Sequence, residues 1–297
     1  MYSSRGDRVM AACIYAFLIL LAVTTVYPFL NAVAISLNEG LDTSKGGITI
    51  WPRAFSWENY QVVFQDERLM TGFVISVLRT VVGTVSAILA TAIFSYGMTK
   101  RELMGRKYYM VMCIITMYFS GGLIPSFLLI RNLGLMNSFW VYIIPSLIGV
   151  WNMIIFRTFF QSLPAGLEES AKIDGCGHWG TLFRIVLPLS GPVIATLSLF
   201  TAVGHWNEWF LASIYISKVE LLPIQTILKQ ILASNIVSEQ TASMDASALA
   251  HLQQAKTVTS KSLSMATMMV ATLPIVMVYP FVQKYFVKGV LVGSLKE

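Results

Sequence analysis

Pro164-Ala-Gly-Leu-Glu-Glu-Ser-Ala-Lys-Ile-Asp-Gly-Cys-Gly-His-Trp-Gly180, running on to Arg184-Ile-Val-Leu-Pro188, is a polar island between two long apolar runs. It is too polar to lie among lipid chains and too regular in its spacing for a slack loop. Pro164, with φ already set, suits the first turn of a helix, and Ser162 ahead of it supplies a capping hydroxyl. Glu168 and Glu169 fall in the opening turns, where negative charge complements the helix dipole. Lys172 follows Glu168 by four residues, the order that favours an ion pair along one helix face. Asp174-Gly175 ends the helix, because glycine accepts the left-handed turn. A second short helix is expected from His178 to Leu187, stopped by Pro188. Two brief helices joined by a glycine make a stiff knob about 15–20 Å across, a shape suited to touching another protein.

What surrounds the island is apolar. Of 297 residues, 56% are hydrophobic and 12% charged, whereas soluble domains carry about 25% charged residues. A water-soluble core cannot absorb that much apolar sequence, so the chain is expected to be an all-α polytopic membrane protein. The net charge of +6 invites a nucleic-acid reading. The basic residues, however, are scattered at the ends of apolar runs rather than gathered in a patch, which suits topology and not phosphate binding. Three cysteines, an odd number without a C-x-x-C, support neither a disulfide framework nor a metal site. Cys13, Cys113 and Cys176 are read as packing residues.

Six segments are long enough to cross a hydrocarbon core, which needs about 20 helical residues: 9–35, 71–97, 108–130, 139–160, 191–215 and 264–286. The whole chain is then a single transmembrane domain. The first segment follows Arg5 and Arg8 and ends near Ala32-Val-Ala34, like a signal peptide, but its apolar run from Val9 to Leu30 exceeds the usual core of about 7–15 residues. It is expected to be an uncleaved anchor helix. With the N-terminus inside, twelve Lys and Arg face the cytoplasm and eight face out, although the outer loops are far longer. The tight turn Lys100-Arg-Glu-Leu-Met-Gly-Arg-Lys107 weighs most. Both ends are therefore expected in the cytoplasm, as is the 161–190 loop. Two long outer loops remain, 36–70 and 216–263. The first holds Trp51 and Trp57, whose indoles suit the headgroup level. The second holds Ile224, Ile227, Leu228, Ile231 and Leu232 at helical spacing, either a surface helix or a docking element for an external partner.

Glu169-Ser-Ala-Lys-Ile-Asp-Gly-Cys176, followed after nine residues by Val186-Leu-Pro188, resembles the Glu-Ala-Ala loop of the membrane subunits of ATP-driven importers, the ABC transporter permeases. The family pattern is Glu-Ala-Ala-x-x-Asp-Gly-Ala, a spacer, then Ile-x-Leu-Pro. Glu169, Ala171, Asp174, Gly175, Leu187 and Pro188 match, while Ser170 and Cys176 replace alanines, small for small. Tyr118-Phe-Ser-Gly-Gly-Leu-Ile-Pro125, Asn132-Leu-Gly-Leu-Met-Asn137, Gly204-His-Trp-Asn-Glu-Trp209 and the tail Phe286-Val-Lys-Gly-Val-Leu-Val-Gly-Ser-Leu-Lys296 look like the carbohydrate branch, close to maltose-type, plant-polysaccharide and alginate permeases. The resemblance covers almost the whole chain. It implies a type I importer permease fold in which the 161–190 loop is a coupling helix. Glu168, Glu169, Ala171, Asp174, Gly175 and Pro188 would then serve the ATPase contact, with Glu169 meeting a basic residue there. It also implies a sister permease, two cytoplasmic ATPase subunits that bind ATP and Mg, an extracellular solute-binding protein, and an oligosaccharide cargo, acidic ones included. The tail would reach toward the ATPase dimer, and the 216–263 loop toward the binding protein. The same scaffold also serves non-sugar cargo such as peptides or polyamines.

No Gly-Lys pair occurs, so the chain has no Walker phosphate loop, and no catalytic or metal constellation is apparent around His178, His205 and His251. No cofactor is expected in this chain. Two charges fall inside spans, Arg79 and Glu208, each about 10–12 Å below the outer end of its helix. Such residues face a partner or an aqueous path. Two readings stand: a structural ion pair or separate polar partners, or a sugar path. On the second, Trp206 and Trp209 offer flat faces to pyranose rings, Asn207 and Glu208 bond hydroxyls, and Arg79 attracts an acidic sugar. Gly121-Gly122 and Pro125 permit a broken third span, but close helix packing is the favoured reading of those glycines.

Overall fold

Three apolar stretches fold as long unbroken helices, because in lipid the backbone must satisfy its own hydrogen bonds. The computed structural model describes residues 5–242 and 258–294, with side chains described for 6–234 and 258–278. The long helices are α1 (Arg5–Ser36), α4 (Glu67–Thr99) and α14 (Ser260–Ser294). Between them run α2 (Gly40–Ser44), α3 (Glu58–Gln65), α5 (Arg106–Tyr118), α6 (Leu123–Asn132), α7 (Val150–Ser162), α8 (Ala165–Ile173), α9 (His178–Thr181), α10 (Leu187–Leu189), α11 (Gly191–Asn207), α12 (Phe210–Tyr215) and α13 (Ile224–Ala242). No strand occurs among the described residues beyond one isolated bridge between Asn38 and Phe55. Three helices are long and apolar enough to cross a membrane, or up to six if each bent pair is one span.

The bent pairs are where the sequence departs from simple spans. The 108–130 segment is two helices meeting at 117°. Gly122 at the break has φ +86, and a Cβ placed there would meet nothing within 4 Å. That corrects the close-packing reading: glycine supplies a backbone angle that other residues resist, and Pro125 falls in the first turn of α6, where its missing N–H costs no ladder bond. The 139–160 segment starts as two 3-10 turns, Phe139–Tyr142 and Ile144–Ser146, and bends by 47° into α7. The 191–215 segment breaks after Asn207, where Glu208 turns extended (φ −69, ψ 115) before α12 begins.

Two compact units form, one from residues 1–70 with 228–273, the other from 71–227 with 274–297. In the first, the residues after α1 fold around buried amides. Asn59 Nδ2 donates to the carbonyls of Ser36 and Asn38, at 3.0 and 2.9 Å, and Asn59 Oδ1 accepts from the Ser262 hydroxyl at 2.8 Å. Asn38 Oδ1 accepts from Ala54 N at 2.8 Å, and its Nδ2 donates to Asp42 and Thr43. Trp51 and Trp57 stand exposed on this segment, and apolar residues of α1 from Val9 to Leu30 are exposed around the helix. Cys13 is exposed on α1, Cys113 is buried and Cys176 is partly buried.

The second unit is built on α4. Its Ile88, Ala92 and Tyr96 pack with Phe156 and Phe160 of α7, Leu182 and Val186 of the polar island, and Leu197 of α11. Ser95 and Thr91 Oγ donate to the carbonyls of Met153 and Leu147, at 3.2 and 3.1 Å, tying α4 to the α7 segment. Ile224 and Ile227 of α13 are buried. A Cβ at Gly72 would come within 2.6 Å of the Ile227 side chain, and Ile224 N donates to Ser76 Oγ at 2.9 Å. The first turn of α13 thus packs on α4 within this unit. Residues 243–257 of the second long loop, and residues 295–297 of the tail, lie outside the described residues, as do the side chains of 279–294.

Candidate functional site

The polar island folds as a helical hairpin. Its first arm, α8, starts one residue later than expected from the sequence. Ser162 is the last residue of α7, and its hydroxyl bonds the Phe159 carbonyl at 2.7 Å, so it caps nothing. Pro164 stands at the N-cap instead. The arm ends in a Schellman turn: Cys176 N donates to Ala171 O at 2.8 Å and Gly175 N to Lys172 O at 3.1 Å, with Gly175 at φ +77. This is the left-handed close that glycine makes without strain. The second arm does not stop at Pro188. It runs through α9 and a π turn, Leu182–Val186, into α10, which contains Pro188, and bends by 81° into α11. The widened π turn has already left the α ladder when proline arrives, so the ring displaces no regular bond.

The hairpin has an inner and an outer face. Ala171 is 3% exposed, with Thr181, Leu182 and Val186 also buried. Glu169, Asp174 and Gly175 face out, and Ile173 is 86% exposed beside exposed Leu167, Trp179 and Phe183. Glu168 does not reach along its helix to Lys172. Its Oε2 accepts from Lys100 Nζ at 2.5 Å, just past the end of α4, and that ammonium sits 3.9 Å from the centroid of the Tyr96 ring. A cavity of about 100 Å³ lies beneath, lined by Tyr96, Glu168, Lys172, Cys176, Gly177, His178 and Thr181.

Farther along α4, Arg79 meets the break between α11 and α12 where Glu208 lies, and each of the two residues serves a helix end. Arg79 is 1% exposed. Its Nη2 donates to the carbonyls of Trp206, at 3.2 Å, and Glu208, one in the last turn of α11 and one just past its end. Cations stabilise that end of a helix. The Glu208 carboxylate accepts from the amides of Phe210 and Leu211, at 2.6 and 3.0 Å, capping α12. The guanidinium lies 5.3 Å from the Tyr142 ring centroid, and Arg79 Nε and Nη1 have no hydrogen-bond partner among the described residues. A cavity of about 270 Å³ opens here, lined by Arg79, Tyr142, Ser146, Thr201, Gly204, His205, Glu208 and Leu211. His205 packs on α4 so closely that a Cβ at Gly83 would come within 2.7 Å of its ring. Trp206 is buried edge-on against Phe73, at 5.9 Å, while Asn207 and Trp209 are exposed.

The sequence reading missed Lys100, which counted only as a topological charge, and it missed Tyr96, Tyr142 and His205 as neighbours of the two sites. No local pattern marks them; they are brought in by helices distant along the chain. His178 lies at the hairpin, His205 at the cavity, and His251 is outside the described residues. Among the described residues no three His, Cys, Asp or Glu gather as metal ligands.

Residues 83–292 match the family described as the binding-protein-dependent transport system inner membrane component. The chain is 39% identical over 290 residues to the polygalacturonan/rhamnogalacturonan transport system permease protein YtcP of Bacillus subtilis, covering 98% of this chain and 99% of that one. It is 39% identical over 296 residues to protein LplC of the same organism, covering 100% of this chain and 98% of that one. Its fold matches a chain in the crystal structure of a bacterial ABC transporter involved in import of the acidic polysaccharide alginate. The TM-score is 0.88 at 27% identity, over 96% of this chain and 99% of that one. The chain belongs to this family and is a membrane permease subunit of an ABC transport system, not an enzyme.

Proposed function

We propose that this permease subunit forms one half of the transmembrane path of an importer for oligosaccharides, uronate-containing ones included. It works with a sister permease, two cytoplasmic ATPase subunits that bind ATP and Mg, and an extracellular binding protein that delivers the sugar. Both termini and the 161–190 hairpin lie on the cytoplasmic side. The observation that carries the reading is the hairpin: its inner face is buried on the bundle, while Glu169, Ile173 and Gly175 stand free on the other side. That is the surface a motor needs. Names of relatives support the cargo class, since one transports polygalacturonan and rhamnogalacturonan and another arabinooligosaccharides.

The mechanism is alternating access. Closure of the ATPase pair drives the hairpins together, the spans rock, and the path opens outward to receive sugar; hydrolysis and product release reset it. The chain makes and breaks no covalent bond. On this reading the path runs by the cavity at the broken fifth span, with Asn207, Glu208 and Trp209 as contact candidates, Arg79 bracing the corner, and Trp206 forming wall rather than platform.

Two experiments test it. Uptake of neutral and acidic oligosaccharides in a strain lacking this chain should be lost, and restored by the intact gene. Glu169→Arg should release the ATPase subunits from the purified complex while the chain still inserts. If the ATPase stays bound to that variant, the hairpin does not carry the contact.

A further inference from the structure

We propose that α4 is the rigid strut that carries the hairpin's motion across the membrane, and that Lys100 is the positioning residue that clamps the hairpin to it. The inference rests on the hairpin being the ATPase-driven lever. Within residues 71–227, α4 crosses without interruption, whereas the neighbouring spans are broken at Phe119–Gly122, between Ser146 and Val150, and at Glu208–Trp209. Coupling between distant sites is carried by rigid secondary elements, and α4 is the continuous one among these spans. Near its inner end α4 holds both arms of the hairpin. Tyr96, Ala92 and Ile88 pack against Leu182 and Val186 of the second arm, and Lys100 reaches Glu168 of the first. Twenty-one residues away, about 31 Å at the helical rise, Arg79 of the same helix holds the carbonyls of Trp206 and Glu208 at the corner that lines the larger cavity.

Lys100 matters because the seat of the first arm is not packed solid. A void of about 100 Å³ lies between Tyr96 of α4 and Lys172, Cys176 and His178 of the hairpin, and the Tyr96 hydroxyl has no hydrogen-bond partner among the described residues. Of α8 itself Ala171 alone is buried, so apolar contact holds the first arm at one point. The ion pair beside the gap holds it at a second, with the Lys100 ammonium steadied over the Tyr96 ring. A demonstrated coupling between two sites requires a physical element that both bias, and α4 is in contact with both.

The test uses the full complex with its ATPase subunits and binding protein in proteoliposomes, reading sugar uptake and ATP hydrolysis together. Lys100→Met is expected to keep the ATPase attached yet lower sugar moved per ATP by about fivefold or more, the low end of measured coupling effects. Glu168→Gln should lower the ratio similarly, and the exchange of Lys100→Glu with Glu168→Lys should bring it back to within about twofold of the starting protein. A ratio unchanged in both single variants, or an exchange no better than either, overturns the strut. If Lys100→Met does not insert, Lys100→Arg decides instead: it must keep the ratio, and its loss overturns the proposal. Failure of the lever reading is read separately, as retention of the ATPase by Glu169→Arg.

Discussion

Replacing Arg79 by methionine removes a cation from the end of α11 while keeping much of the side chain's bulk. Two carbonyls lose their donor, those of Trp206 and Glu208. Hydrogen bonds to a charged group contribute about 1.5–3 kcal/mol each, and here one nitrogen serves both acceptors, which holds the loss to about 3 kcal/mol. Against this, Arg79 buries Nε and Nη1 without partners, and removing those orphaned donors returns about 1 kcal/mol for each. The net is about 1 kcal/mol, a factor of about 5 in the population of the intact corner. The assay is uptake of a neutral and a uronate oligosaccharide in a strain lacking the native chain, with membrane insertion checked. A brace predicts that both cargoes fall together by that factor; charge attraction predicts that only the acidic one falls. Arg79→Lys keeps the charge but not the planar fork, and should fall between the two. Uptake of both cargoes within about twofold of the native protein, from inserted Arg79→Met, would refute the brace and the charge readings alike.

Gly175→Val should weaken ATPase retention by about tenfold, because a left-handed backbone costs a side-chain-bearing residue about 1–2 kcal/mol. Nothing lies within 4 Å of the site of a Cβ there, so strain alone is at issue; Gly175→Asn should be milder, and equal losses would remove the backbone explanation. On the segment after α1, the Asn38 amide, followed by Arg53, holds the Asp42 carboxyl below its ordinary 3.8. A carboxyl lowered on folding stabilises fully above its unfolded value and loses that contribution as pH falls through the folded one. Acid unfolding of the native complex should therefore steepen below about pH 4, and Asp42→Asn should flatten that limb. An unchanged acid limb in Asp42→Asn would show that the Asn38–Asp42–Arg53 group does not couple to folding.

Much of the architecture was legible in order along the chain. Apolar runs near 20 residues dictate spans because lipid leaves the backbone no other partner, and the Asp174-Gly175 pair marks its turn because only that backbone angle closes the helix. Local rules failed where two signals compete for one residue. Ser162 looks like a cap, but α7 extends through it and takes its hydroxyl. Pro188 looks like a stop, but a π turn ahead of it has already changed the register. Gly121-Gly122 reads first as a packing stripe, and only the positive φ of Gly122 and the empty space around it show a break instead.

The candidate sites divide along the same line. Composition and spacing were enough to establish an all-helical membrane chain with a charged hairpin, since hydropathy and turn chemistry act over a few residues. Which groups meet was a matter for the folded molecule. Glu168 has Lys172 four residues away on its own helix and takes Lys100 instead, 68 residues earlier. Arg79 and Glu208 carry opposite charges at similar depth, yet each goes to a helix terminus. Unpaired backbone groups at a broken helix inside a membrane are costly, and a side chain aimed at them stabilises more than a second charge would. That choice depends on where α11 breaks and which helix passes beside the break, a relation set by packing across the bundle and carried by no single stretch of the chain.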